Sequence, residues 1–227
     1  MPNQGFLFLL IDQLTFATLI ITLFFIFLKK AWHTPVFLFL ALNSAYSVLL
    51  FLVGWIYGLF SIQYELVSNL SIHADTLTGL GVLYHIWPEN RYRRFLVISV
   101  IPVLLAWLVT IFFMGPQKTY YWNLIAPATW FLLAGTYSMS LLYKRSFYHE
   151  NAHYLSKFLI IAGFLFYNFV YLIIEACYIV FAQSGGAEDA WHINFWSYFI
   201  FRLMLLAAIL SWIYHPRIST NPMAINK

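Results

Sequence analysis

Residues 5–30 read GFLFLLIDQLTFATLIITLFFIFLKK, an apolar run broken by a single charge, Asp12, and closed by Lys29 and Lys30. A helix rises about 1.5 Å per residue, so roughly 20 apolar residues cross a hydrocarbon core of about 30 Å. The run is long enough to do so. Lipid offers no water to backbone polar groups, so a spanning run of this kind must be a helix. Working outward, the same test marks residues 36–60, 61–87, 95–114, 120–143, 155–183 and 191–215, the third being unusually polar.

The expected fold class is an all-α integral membrane protein, a seven-transmembrane-helix bundle forming one domain over residues 1–227, with the first helix at 5–28. Punctuation between the runs agrees: Pro35, Trp87-Pro88-Glu89-Asn90, Gly115-Pro116 and Ser184-Gly185-Gly186 are residues that end or redirect helices. Segments one to three and five to seven share hydropathy but no residue pattern that would make them a repeat.

Hydrophobic residues are 63% of the chain and charged residues 9%, far from the balance of a soluble domain. Connections are short, so function is expected from the bundle and its loops. A net charge of +4 could suggest a nucleic-acid surface, but its distribution along the chain argues for a membrane orientation instead. Lys29, Lys30, Arg91, Arg93, Arg94, Lys144, Arg145, Lys157, Arg217 and Lys227 fall on one side when the helices alternate, leaving Lys118 opposite and Arg202 within a helix. That bias places the N-terminus outside and the C-terminus in the cytoplasm, as a multi-pass protein of the cytoplasmic (inner or plasma) membrane. With no basic residue before the first helix and two after it, that helix reads as a retained, reversed signal anchor. Cys177 is the single cysteine, so no internal disulfide forms. Aromatics make up 21% of the chain, and those near helix ends, such as Trp55, Tyr121 and Trp191, suit the headgroup region.

Charged side chains within a span are costly and usually face the bundle interior. The third segment puts Glu65, Asn69, His73 and Thr76 on one stripe at about 100° per residue, with Asp75 to one side. The sixth aligns Asn168 and Glu175; the seventh carries Arg202 with Trp191, Phe195 and Tyr198; the first offers Asp12, the second Asn43, Ser47 and Gly54. Counting about 1.5 Å per residue from the outer boundary puts Arg202 and His73 near 17 Å, Glu175 and Asp12 near 10–12 Å, and Glu65 near 6 Å. The expected pair is Arg202–Glu175, with His73 and Asn69 as neighbours. The four acids Asp12, Glu65, Asp75 and Glu175 share one intramembrane base and cannot all be ionised and paired with it. That suits a proton or cation relay, or a site where Arg202 holds an anionic group. The bland alternative is a network that only fixes helix register, as interhelical hydrogen bonds do.

Before the sixth segment stands Tyr148-His149-Glu150-Asn151-Ala152-His153-Tyr154. His149, Glu150 and His153 match H-E-x-x-H, in which two histidines one helical turn apart bind zinc and the glutamate acts as base on a zinc-bound water. The motif resembles that of zinc metallopeptidases, including membrane-embedded ones, over five residues and no further. The resemblance implies a third ligand, which His33, His85, His215 or Glu89 could supply from the same side. Histidine-box oxygenases need more histidine clusters than this chain has.

No lysine lies in mid-membrane for a retinal Schiff base, and His73 and His85 lie about 120° apart around their helix, which gives haem no pair of ligands. Nucleotide-binding and CxxC motifs are missing. The reading is a bundle that binds a small molecule, lipid or ion as a receptor, sensor or transporter component, through Asp12, Glu65, Asn69, His73, Glu175 and Arg202. No cofactor is expected, and zinc belongs only to the alternative of a membrane hydrolase built on His149, Glu150 and His153. A second alternative is a non-catalytic subunit with a membrane-protein partner. The lipid bilayer is a partner in every case, and nucleic acid in none.

Overall fold

The computed structural model describes residues 2–60, 64–115, 121–146, 153–181 and 187–214, with side-chain surroundings for 9–54, 71–113, 115, 123–144, 153–177 and 192–214. Among them the chain is all helix: α1 (Pro2–Leu28), α2 (Pro35–Phe60), α3 (Tyr64–Ile86), α4 (Asn90–Met114), α5 (Tyr121–Ser146), α6 (Tyr154–Phe181) and α7 (Ala187–Tyr214), with one 3-10 turn at Ala31–His33. Six helices, α1, α2 and α4 to α7, are long and apolar enough over their described residues to cross a membrane. The protein is a multi-pass membrane protein with a helical bundle as its body.

The helices close into a ring. α1 packs on α2 and α7, α7 on α6, α6 on α5, and α3 contacts α2, α4 and α5. This explains why the polar helix is tolerated. Of the polar groups of α3 among the described residues, His73 and Thr76 are buried. α4 is the opposite case. Phe112 and Phe113 at its far end are 81% and 83% exposed, apolar surface that suits lipid and would be a liability in water.

Close helix approach depends on missing side chains. A Cβ on Gly79 of α3 would meet the Phe131 ring of α5 at 2.4 Å, and one on Gly81 would meet the Phe39 ring of α2 at 2.1 Å. Small residues let membrane helices pack by van der Waals contact where no hydrophobic drive separates helix from lipid. Beside Gly79 the Phe131 ring stacks on Phe164 of α6, and Phe164 in turn packs at a tilt on Phe201 of α7, with ring centroids 5.2 and 5.3 Å apart.

The α3–α4 turn is shorter than the apolar pattern implied, because α4 starts at Asn90 rather than near residue 95. Arg93 is the reason. Its Nε donates to the carbonyls of Tyr84 and Trp87 at 3.1 and 3.0 Å, serving acceptors that the end of α3 leaves open. The Trp87 indole is buried below, donating to Ser138 Oγ of α5 at 2.7 Å, with Lys157 of α6 4.7 Å from its ring centroid. Arg93→Ala should therefore cost about 1.5–3 kcal/mol, the range for a hydrogen bond to a charged group. A thermal melt unchanged from wild type would show that the clamp holds nothing.

Candidate functional site

Arg202 leaves α7 toward its own N-terminal side, as long helical side chains do, and is 2% exposed. One turn back, Tyr198 Oη accepts from Nη2 at 2.6 Å, and the same nitrogen donates to Ser47 Oγ of α2 at 2.7 Å. Nη1 donates to Asn43 Oδ1. Asn43 and Ser47, four apart on α2, lie on one face, and Ser47 Oγ donates back to the Asn43 carbonyl at 2.9 Å. The guanidinium carbon also lies 4.6 and 5.1 Å from the ring centroids of Tyr198 and Phe201, adding cation–π attraction in a desolvated setting.

Asn43 passes the interaction on. Its Nδ2 donates to Asp75 Oδ1 at 2.8 Å and to Thr78 Oγ1 at 2.9 Å, both on α3. One carboxamide thus joins a buried cation to an acid, with its oxygen toward the arginine and its nitrogen toward the aspartate. Tyr46 of α2 hydrogen-bonds Ser71 of α3 and feels the Asp75 charge. The site is built by α2, α3 and α7.

The expected Arg202–Glu175 pair does not form. Glu175 is 2% exposed on α6, hydrogen-bonded to Tyr171 one turn away on the same helix, and its Oε1 has no partner among the described residues. Counting from presumed span ends misplaced the two relative to each other. Tyr167 of α6 stacks on Phe201 at 5.2 Å and packs on Tyr198 at 5.4 Å, so Tyr167 marks the Arg202 level on α6. Glu175 is eight residues further along, about 12 Å at helical rise, while Asn43 and Ser47 stand within direct reach.

Of the other expected residues, the described ones do not join the Arg202 bonds. His73 is buried but lies against α4, its ring stacked on Trp107 with centroids 4.2 Å apart. Asp12 is partly buried on α1 and enters none of the Arg202 bonds. Glu65 and Asn69 belong to α3, but their side chains lie outside the described residues. Asn168, buried on α6, donates to the Phe164 carbonyl of its own helix at 2.8 Å. The pairs that make the site were in the sequence as i, i+4 spacings, Asn43 with Ser47 and Tyr198 with Arg202.

His149 and Glu150 lie outside the described residues. His153 sits just before α6 in the left-handed region, φ 62°, and its ring stacks on Trp212 with centroids 3.6 Å apart. Its carbonyl accepts from the Lys157 amide at 3.0 Å, so it serves as the entry to α6. His33 stacks on Trp32 and His85 on Phe39, at 3.9 and 5.5 Å between centroids; His215 is outside the described residues. Among the described residues no three His, Cys, Asp or Glu side chains gather as a metal would require. The zinc expectation rests on the five-residue motif alone.

No protein-family profile, curated protein or solved structure matches the chain.

Proposed function

We propose that this is a seven-span protein of the cytoplasmic membrane, N-terminus outside and C-terminus in the cytoplasm, acting as a receptor, sensor or transporter component. Its polar centre binds a small cation or a ligand with hydrogen-bond donors, at Asp75 with Asn43, Ser47, Tyr198 and Arg202. The observation that carries the reading is a buried Arg202 held through Asn43 to a carboxylate on a third helix. Fixing helix register needs no charges, because neutral interhelical hydrogen bonds do it. Burying an ion costs several kcal/mol even after relaxation, a cost that makes sense where the charge is used.

The choice of cation over anion follows from the bonds already made. Both Nη atoms of Arg202 are engaged by Asn43, Ser47 and Tyr198, leaving Nε as its one donor nitrogen without a partner among the described residues, so a carboxylate or phosphate would meet a single nitrogen rather than the two-nitrogen fork. Among the described residues Asp75 has only Oδ1 engaged by a side chain, that of Asn43. A cation or donor arriving there competes with a neutral amide rather than with a direct salt bridge.

The test is thermal stabilisation of the protein in nanodiscs by sodium, potassium, calcium and small amines, read beside Asp75→Asn. At 100-fold excess over its dissociation constant a bound ligand stabilises by about 2.7 kcal/mol, which is several degrees for a chain of this size. At least one should stabilise wild type and leave the variant unmoved. If all shift both proteins equally, the site is structural and the reading fails.

A further inference from the structure

The first turns of α4 carry three arginines, and only Arg93 is used by the fold. Arg91 and Arg94 are exposed and make no side-chain hydrogen bond or ion pair among the described residues. They stand three residues apart, where helical side chains are neighbours and like charges repel. Together with Asn90, Phe95, Ile98 and Ser99 they line a groove of about 660 Å³. From this groove a broad exposed apolar surface continues along α4, within which Ile98, Ile101, Leu105, Leu108 and Phe112 are spaced three or four apart as one helix face requires. Two unpaired cations at one end and bare hydrocarbon along the rest is the complement of an amphiphile with an anionic head.

We propose that this face of α4 is a binding site for an anionic phospholipid, with Arg91 and Arg94 on the phosphodiester and an acyl chain along Ile98, Ile101 and Leu105. The apolar stripe is why the occupant is a lipid and not free phosphate. Arginine suits the headgroup because its planar fork meets two phosphate oxygens at once. The site is separate from the polar centre, and neither proposal depends on the other.

The experiment exchanges the protein into nanodiscs of phosphatidylcholine containing a minority of phosphatidylglycerol, then extracts it gently and counts retained phosphatidylglycerol by native mass spectrometry. Wild type is compared with Arg91→Gln, Arg94→Gln together, and with Lys29→Gln, Lys30→Gln, which removes the same charge from the exposed lysine pair after α1. The arginine variant should retain about 30-fold less, in keeping with the strength of two basic residues near anionic lipid, and the lysine variant should match wild type. Equal loss in both variants would mean general attraction to a charged surface and would overturn the site. So would equal retention in all three, or displacement of the lipid by millimolar inorganic phosphate. Neither arginine supports the fold, so melts in phosphatidylcholine alone should coincide. If the double variant is not recovered, Arg91→Gln and Arg94→Gln singly carry the test, each losing about fivefold.

Discussion

Arg202→Met should lower stability by about 3–5 kcal/mol, because removing one member of a buried charge pair strands the other. For a chain of this length that corresponds to a fall of about 10 °C in melting temperature in detergent. The identity of the stranded partner is what the structure adds. With Arg202 gone, Asn43 keeps its donors on Asp75 and Thr78 but its oxygen loses its donor, and the Asp75 carboxylate loses the cation held beside it through Asn43. Asp75→Asn in the same chain removes that charge and should recover part of the loss, an interaction energy of about 1–3 kcal/mol. Glu175→Gln should not recover it. Glu175 shares no hydrogen bond with Arg202 and answers to Tyr171 on its own helix, so the two effects should add within about 0.5 kcal/mol, as independent sites do. A cycle in which Glu175 couples to Arg202 more strongly than Asp75 does would refute the arrangement of the site.

The contrast between those two acids shows what could be read from the chain. Helix positions were legible because apolar length and glycine–proline punctuation are local properties; α7, marked as 191–215, is Ala187–Tyr214. That Arg202 and Glu175 are interior was legible too, since charges in such segments turn inward, and both are 2% exposed. Which interior group meets which is not a local property. Counting residues from a span end gives depth but not azimuth, and the residues between α6 and α7, 182–186, say nothing about how far one helix slides along the other. The α3 stripe can be followed only in part, because the side chains of Glu65 and Asn69 lie outside the described residues. Its helix is polar on more than one side, with His73 toward Trp107 of α4 and Asp75 with Thr78 toward Asn43 of α2. A stripe defined by one periodicity picks only one of those sides. The H-E-x-x-H spacing has a similar weakness, because five residues do not tell where the helix begins. His153 stands immediately before it.

Asn43→Ala should cost about 2–4 kcal/mol, more than any other neutral residue of the site. The estimate follows from what its amide does. A single interhelical hydrogen bond in a membrane bundle is worth about 0.6 kcal/mol on average and at most about 1.7, and bonds to charged groups lie at the upper end of such ranges. Asn43 accepts one bond from a cation, donates one to a carboxylate and donates another to Thr78. Ser47, by comparison, accepts a single bond from Arg202 Nη2, a nitrogen that also has Tyr198. Ser47→Ala and Thr78→Val should therefore cost about 1 kcal/mol or less. Asn43→Asp sharpens the point, because it supplies Arg202 with a direct carboxylate yet loses both Nδ2 donors. Two carboxylates then face one another where an amide had stood between charge and charge, and like charges at that range repel strongly in a dry interior. The direct salt bridge should not make up for this, leaving Asn43→Asp no more stable than Asn43→Ala. If Asn43→Asp instead matched wild type, Asp75 would not be the acid that balances Arg202, and the three-helix relay of charge through one amide would be wrong.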